Sequence, residues 1–133
     1  MELKQIVPAL LDAYNNHSPA SVAPYYGVDA THLDIATGRP RQGRDAIVAG
    51  LGFFLRAFPD AVWHVESTAI TEQHAAVRYR LTGSLQADLG PYIAHGQPLE
   101  LPGVLWLTAG EGAIAHSEDY WDATSFNRQM QGT

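Results

Sequence analysis

Acidic and aromatic side chains occur together near the end of the chain, in residues 115–122. If this segment is a β-strand, its side chains alternate between two faces, and one face carries Ser117, Asp119 and Trp121. A carboxylate beside an indole in an apolar pocket would have a raised pKa, which suits general acid–base chemistry. Bulky side chains also lie on the opposite face, so alternation leaves open whether Asp119 faces a pocket or water.

A second candidate acid is Asp34, which ends the alternating segment 29–34. His32 would share its face, and the pair would either line a pocket as a base and its helper or face solvent. His32 and Asp34 also form a fragment of a two-histidine, one-carboxylate metal motif. The six histidines include no His-x-His or His-x-x-x-His pair, so we expect no metal site.

Tyr14 has both a local and a functional interpretation, whereas Asp122 has a local one. Tyr14 lies on the apolar face of the first predicted helix, where its hydroxyl either hydrogen-bonds locally or points into a cavity to stabilise an oxyanion. Asp122 precedes Ala123, Thr124 and Ser125, a pattern typical of a helix N-cap.

Hydrophobic periodicity predicts the elements that position these residues. Apolar spacing indicates helices over residues 3–14, 19–26 and 44–58, and Pro8 lies in the first turn of the first helix or kinks it. Alternation indicates a strand over residues 31–36, followed by a turn at 38–40. After Pro59 the period changes to two residues, which predicts four strands at 61–70, 74–82, 99–108 and 113–121. The connection 83–98 is long enough to be functional or mobile.

Helices followed by consecutive strands indicate an α+β fold in which one sheet face packs on the helices. Helices on an incompletely filled sheet leave a cavity for a small, partly hydrophobic molecule. With 133 residues, 46% of them hydrophobic, the chain suits one domain over residues 1–133. The lack of cysteine excludes disulfides and thiol catalysis.

Charge and motif content restrict the partners. The net charge of −6 argues against nucleic acid, and Arg39, Arg41 and Arg44 form the only basic cluster. No signal peptide or membrane-spanning run is evident, so we expect a soluble, cytoplasmic protein. Dinucleotide, phosphate-loop and serine-nucleophile motifs do not occur, and we predict no cofactor.

The order of short motifs along nearly the whole chain resembles the SnoaL-like polyketide cyclases. This family belongs to the nuclear transport factor 2-like superfamily, which also contains the ketosteroid isomerases. The motifs are Asp29-Ala30-Thr31, residues 43–47, Phe58-Pro59-Asp60, Gly103 opening a strand, and residues 119–122 followed by Gln129. The resemblance implies a cone, in which a curved antiparallel sheet wraps around the N-terminal helix and leaves an apolar pocket, and a homodimer packed through the sheet.

Site residues follow from the same resemblance. The acid/base aspartate of the cyclases matches Asp119, and Trp121 then faces the pocket. In the isomerases the base instead matches Asp34 and the helix tyrosine matches Tyr14. Their protonated aspartate, one of two oxyanion donors, matches Gly103, so that donor is missing here, which argues against steroid isomerisation.

Our leading hypothesis is a cofactor-independent cyclase that acts on a carbonyl compound. Asp119 would move a proton during an intramolecular aldol closure, Asp34 or His32 would assist, and Tyr14 would donate to a carbonyl oxygen. The predicted substrate-binding residues are Phe54, Trp63, Tyr79, Leu101, Leu105, Ser117 and Trp121. One alternative is a ligand-binding or dimerisation module without chemistry, expected if aromatic side chains fill the cavity, and another is an isomerase or dehydratase that uses Asp34.

Overall fold

The helix-then-strand order expected from the sequence is present in the computed structural model, which describes residues 1–132. The helices are α1 (Leu3–Asn15), α2 (Pro19–Val22), α3 (Arg44–Ala57) and α4 (Ala123–Met130), with a short 3-10 helix at Ala23–Tyr25. The strands are β1 (Tyr26–Asp34), β2 (Arg39–Gln42), β3 (Val62–Ile70), β4 (His74–Ser84), β5 (Pro98–Ala109) and β6 (Ile114–Trp121). The four strands predicted after Pro59 are therefore confirmed within a few residues.

One curved, unclosed sheet in the order β2-β1-β6-β5-β4-β3 forms the wall of the cone. The α+β cone fold is confirmed, with one correction to the expected antiparallel sheet. Strands β1 and β6 are parallel, so the sheet is mixed. These two strands are far apart in sequence, and no hairpin forces them to run in opposite directions. Their pairing places Asp34 in register with Asp119.

Helix α1 packs its apolar stripe against the inner face of the sheet, burying Leu3, Ile6, Val7, Leu10 and Leu11. Pro8 lies on the exposed side of α1 and beyond its first turn, which was one of the two places expected for it, the other being a kink. At the end of the helix, the Asn15 side chain accepts from Trp63 N at 2.8 Å and donates to Trp63 O at 3.0 Å. This pairing fixes the last turn of α1, which carries Tyr14, against β3.

Strand β2 was not predicted, because its first residues read as a turn. It pairs with β1 at the edge of the sheet, and Pro40 lies opposite Leu33. An edge strand tolerates proline because it needs fewer ladder hydrogen bonds. Strand β1 also begins earlier than expected, at Tyr26, and ends at Asp34.

Helix α4 packs on β5 beside the cavity. Asp122 is its N-cap, as predicted, and accepts hydrogen bonds from the backbone of Thr124 and Ser125. Gln129 docks the helix on β5 by pairing with both backbone groups of Glu100, at 2.8 and 2.9 Å. The long connection before β5 is also tied down, because the buried Gln97 side chain donates to Met130 O at 2.9 Å.

Candidate active site

A cavity of about 630 Å³ opens between the inner face of the sheet, α3, α4 and the loop 89–92. Asp34 and Asp119 both line it. Phe54, Trp63 and Trp121 stand in its wall and leave the space open. The other wall residues are mainly apolar and include Ile47, Leu51, Leu81, Leu89, Tyr92, Leu101 and Phe126.

The carboxylate of Asp119 is held by one phenol. The Tyr79 hydroxyl donates to Oδ1 at 2.6 Å, reaching from β4 across β5 to β6. It crosses at Gly103, which is paired with Tyr79. A Cβ on Gly103 would overlap the Tyr79 hydroxyl and Cζ and lie 2.9 Å from the backbone oxygen of Tyr120. A side chain at this position would therefore exclude the phenol from the carboxylate.

Burial of the Asp119 carboxyl raises its pKa from 3.8 to about 6. The Tyr79 hydrogen bond lowers the pKa of Asp119 because it stabilises the charged form. The negative charge of Asp34 raises this pKa, and His32 lowers it. An acid with a pKa near 6 can both accept and return a proton near neutral pH. This property supports an acid–base role for Asp119.

Asp34 belongs to a second chain of hydrogen bonds, through His32. His32 Nε2 lies 3.2 Å from Asp34 Oδ1, and His32 Nδ1 lies 2.6 Å from the Ser117 hydroxyl. Ser117 also accepts from the Tyr26 hydroxyl at 3.0 Å, and both residues are fully buried. The imidazole is thus bound at both ring nitrogens, which fixes its orientation at the cavity wall.

Tyr14 lines the cavity beside Trp63, with ring centroids 5.1 Å apart. Burial raises the pKa of its hydroxyl well above the usual value, and the neighbouring Tyr26 and Asp119 add to the shift. Burial also raises the pKa of Tyr79 beyond the physiological range. Both phenols therefore stay protonated at neutral pH, and Tyr79 donates its single O–H to Asp119.

A model of the SnoaL-like polyketide cyclase family matches residues 4–130. The chain belongs to the SnoaL-like polyketide cyclase family. Comparison with curated proteins gives no match.

Several solved structures share the fold at low sequence identity. A candidate polyketide cyclase from Pseudomonas putida KT2440 has a TM-score of 0.85 at 21% identity, with 98% of each chain covered. IdmH, a candidate polyketide cyclase from Streptomyces antibioticus, has a TM-score of 0.81 at 19% identity, covering 96% of this chain and 97% of its own. A Catenulispora acidiphila protein with a ketosteroid isomerase-like fold, in complex with trimethylamine, has a TM-score of 0.82 at 18% identity, covering 96% and 92%.

The structure of this SnoaL-like protein brings most of the predicted site residues together. Tyr14, His32, Asp34 and Asp119 all line the cavity, and so do the predicted wall residues Phe54, Trp63, Tyr79, Leu101 and Trp121. Two residues expected on the wall lie elsewhere. Leu105 belongs to the core cluster, and Ser117 is fully covered and bonded to His32 and Tyr26. Ser117 therefore supports the wall from behind.

Some wall residues of this SnoaL-like domain were missed from the sequence. Arg39 and Arg41 line the cavity, although the sequence predicted no role for the basic cluster beyond its being too small to indicate a nucleic-acid partner. Their place depends on β2, whose alternation over four residues is too short to detect next to a proline. The loop 89–92 and Phe126 also reach the cavity. The unusual length of the connection was the only signal for the loop.

Within residues 1–132, no group of three or more histidines and carboxylates is arranged to hold a metal ion. No helix in that range is long and apolar enough to cross a membrane.

Proposed function

We propose that this protein is a cofactor-independent cyclase that uses Asp119 as general acid and base on a partly hydrophobic carbonyl compound. The observation that carries the proposal is an ionisable carboxyl in an apolar cavity, with a pKa raised to about 6. Family membership supports the reaction type. The position of both carboxylates on an open cavity is the arrangement expected of an enzyme.

The proposed reaction is an intramolecular aldol closure. Asp119 takes a proton from a carbon between two carbonyls, and the resulting enolate carbon forms a bond to another carbonyl carbon of the same molecule. The new alkoxide oxygen then takes the proton back from Asp119, so the product is an isomer of the substrate. Tyr79 occupies Oδ1, which leaves Oδ2 of Asp119 to face the substrate.

The neighbouring groups stabilise the charges that form during these steps. Tyr14 donates to the enolate oxygen, where a protonated donor held in an apolar wall is most effective. His32 is oriented by Ser117 and Asp34 and assists proton transfer or positions the second carbonyl. An apolar cavity also holds the flexible chain folded, which supplies much of the advantage in an intramolecular reaction.

The test is deuterium exchange at the carbon between the carbonyls of methyl 3-(2-naphthyl)-3-oxopropanoate, followed by NMR. We expect the protein to accelerate exchange and Asp119→Asn to reduce that acceleration by about two orders of magnitude or more, the range of a general acid–base group. The matched control is Asp122→Asn, which changes an exposed capping carboxylate three residues away. Unchanged exchange in Asp119→Asn would remove Asp119 from the mechanism.

Two other functions are distinguished by the same assay. The position of Asp34 on the cavity wall supports an isomerase or dehydratase that uses Asp34 as its base. This function predicts that Asp34→Asn reduces the acceleration of exchange more than Asp119→Asn does. A binding module without chemistry has support in the large apolar cavity. Saturable binding of the ester, together with exchange at the rate of buffer alone, would favour that module.

We also propose that the protein pairs with a second copy through the outer face of its sheet. Trp106 on β5 and Tyr120 on β6 are 36% and 42% exposed there, and together they offer aromatic surface for the contact. Light scattering should give twice the mass of one chain, and Trp106→Glu should lower it to that of one chain. A monomeric wild-type protein would contradict the pairing. A cytoplasmic location stays a prediction from the sequence.

A further inference from the structure

Two arginines face the cavity from strand β2. Arg41 is paired with His32, and Arg39 is paired with Asp34, across the β1–β2 ladder. Directly paired residues point to the same face of a sheet, so the arginines share the face of the catalytic candidates. Both line the cavity, with Arg39 exposed and Arg41 half-buried. They therefore stand at the open end of the cavity, nearer to solvent than Asp119.

Neither guanidinium makes an ion pair or hydrogen bond with another side chain in residues 1–132. The two cavity carboxylates have other partners, since Asp119 accepts from Tyr79 and Asp34 lies against His32. A half-buried cation without a counter-charge is unfavourable, and a bound anion would relieve that cost. The cavity is thus cationic at its mouth and acidic in its interior.

A glycine in α3 makes room for the Arg41 guanidinium. A Cβ on Gly50 would lie 2.5 Å from both Cζ and Nε of Arg41, so any larger residue would displace the group. Glycine weakens a helix interior relative to alanine, and the three atoms nearest to the position of the missing Cβ all belong to the Arg41 guanidinium. Gly52 in the same helix differs, because its Cβ would meet only Pro19 Cγ at 3.7 Å. The absence of a side chain at Gly50 therefore leaves space for the Arg41 guanidinium against α3.

We propose that the cavity binds a molecule with a carboxylate at one end, held by Arg41 with the help of Arg39, and an apolar carbonyl-bearing body directed toward Asp119. A guanidinium is planar and can bind a carboxylate through two parallel hydrogen bonds. The negative charges of Asp34 and Asp119 repel a second anion, so they favour the orientation with the carboxylate at the mouth. This inference names the substrate class for the function proposed above and rests on it for the chemistry.

Binding can be tested without turnover by comparing 2-naphthoate with 2-naphthamide, which differ mainly in charge. Calorimetry near pH 7.5 should show the acid binding at least about tenfold more tightly, as expected for a charge-assisted contact. Arg41→Met should make the two affinities nearly equal. Gly50→Ala keeps the charge but displaces the guanidinium, and it should reduce the preference as well.

Two matched control variants test whether a loss of preference for the acid is specific to the Arg41 guanidinium. Arg78→Gln removes an exposed arginine from the outer face of the sheet, and Gly52→Ala changes a glycine of the same helix without touching Arg41. Both should keep the wild-type preference for the acid. Circular dichroism of each variant checks folding, and Gly50→Ala decides the question if Arg41→Met does not fold.

The binding measurements can overturn the anion site and the proposed function separately. Equal affinities in the wild-type protein, or an undiminished preference in Arg41→Met or Gly50→Ala, would overturn the anion site. Failure of both naphthalenes to bind would overturn it together with the small-molecule cavity on which the proposed function depends. A clear preference for the acid in a protein that does not accelerate proton exchange would support the anion site and refute the proposed chemistry.

Discussion

The Tyr79 hydroxyl donates a 2.6 Å hydrogen bond to Asp119 Oδ1 across an intervening strand. The contact exists because Gly103 on that strand has no side chain in the way. The resemblance described from the sequence matches Gly103 to an acidic oxyanion donor of the ketosteroid isomerases. Here a phenol occupies that space and is directed at the candidate base, so the same region of the fold orients a carboxylate.

The pKa of Asp119 should respond in opposite directions to two substitutions. Tyr79→Phe removes the hydrogen bond to the charged form, so the pKa should rise above about 6. Asp34→Asn removes a neighbouring negative charge, so the pKa should fall. NMR titration of the carboxyl carbon measures both. The rising limb of the pH–rate profile for proton exchange should move with them, and shifts in the same direction would contradict this account.

Gly103→Ala should uncouple Tyr79 from Asp119 without changing either residue. The new methyl group takes the place of the phenol oxygen, so the pKa of Asp119 should rise as in Tyr79→Phe. Overpacking should also lower the free energy of unfolding by about 1–3 kcal/mol. Gly52→Ala is the comparison, because its Cβ has room and should stabilise α3 by up to about 1 kcal/mol. Denaturant unfolding and carboxyl titration test both expectations, and equal behaviour of the two variants would refute the steric argument.

The raised pKa of Asp119 also predicts how stability depends on pH. The folded protein binds this proton more tightly than the unfolded chain, with pKa values of about 6 and 3.8. Wild-type stability should therefore fall, relative to Asp119→Asn, as the pH rises from 4 to 6, and the difference should stay constant above that range. Relative to its value at pH 4, the stability difference should change by about 1–3 kcal/mol in favour of the variant at pH 7. Identical pH dependences in urea unfolding would show that the carboxyl has an ordinary pKa.

Ser117→Ala should destabilise the protein although Ser117 does not reach the cavity. The substitution leaves the Tyr26 hydroxyl and His32 Nδ1 without their buried partner. We expect a loss of about 1–3 kcal/mol in the free energy of unfolding, the usual cost of unsatisfied buried polar groups. Ser67→Ala on the exposed face of β3 is the control. Nitrogen NMR of His32 should show a changed tautomer, and an unchanged spectrum would argue against the hydrogen-bond chain.

Much of the fold was predictable because local patterns encode it. The period-two segments after Pro59 could form only strands, and Asp122 before a short polar helix has a capping role that depends on its immediate neighbours. The order of the short motifs indicated the family, and the match over residues 4–130 confirms it. Strand β2 escaped prediction because four residues that include a proline carry too little periodicity.

The tertiary structure alone decided the face on which residues 115–122 place Asp119. Bulky side chains alternate on both sides of this strand, so periodicity could not choose between them, and only the family resemblance pointed inward. The parallel pairing of β1 with β6 then brings Asp34 beside Asp119, although 85 positions separate them. The contact of Tyr79 with Gly103 joins neighbouring strands, and that of Arg41 with Gly50 joins β2 to α3. The positions of these residues in the sequence do not predict the contacts between them, because the order and register of the strands set the distances.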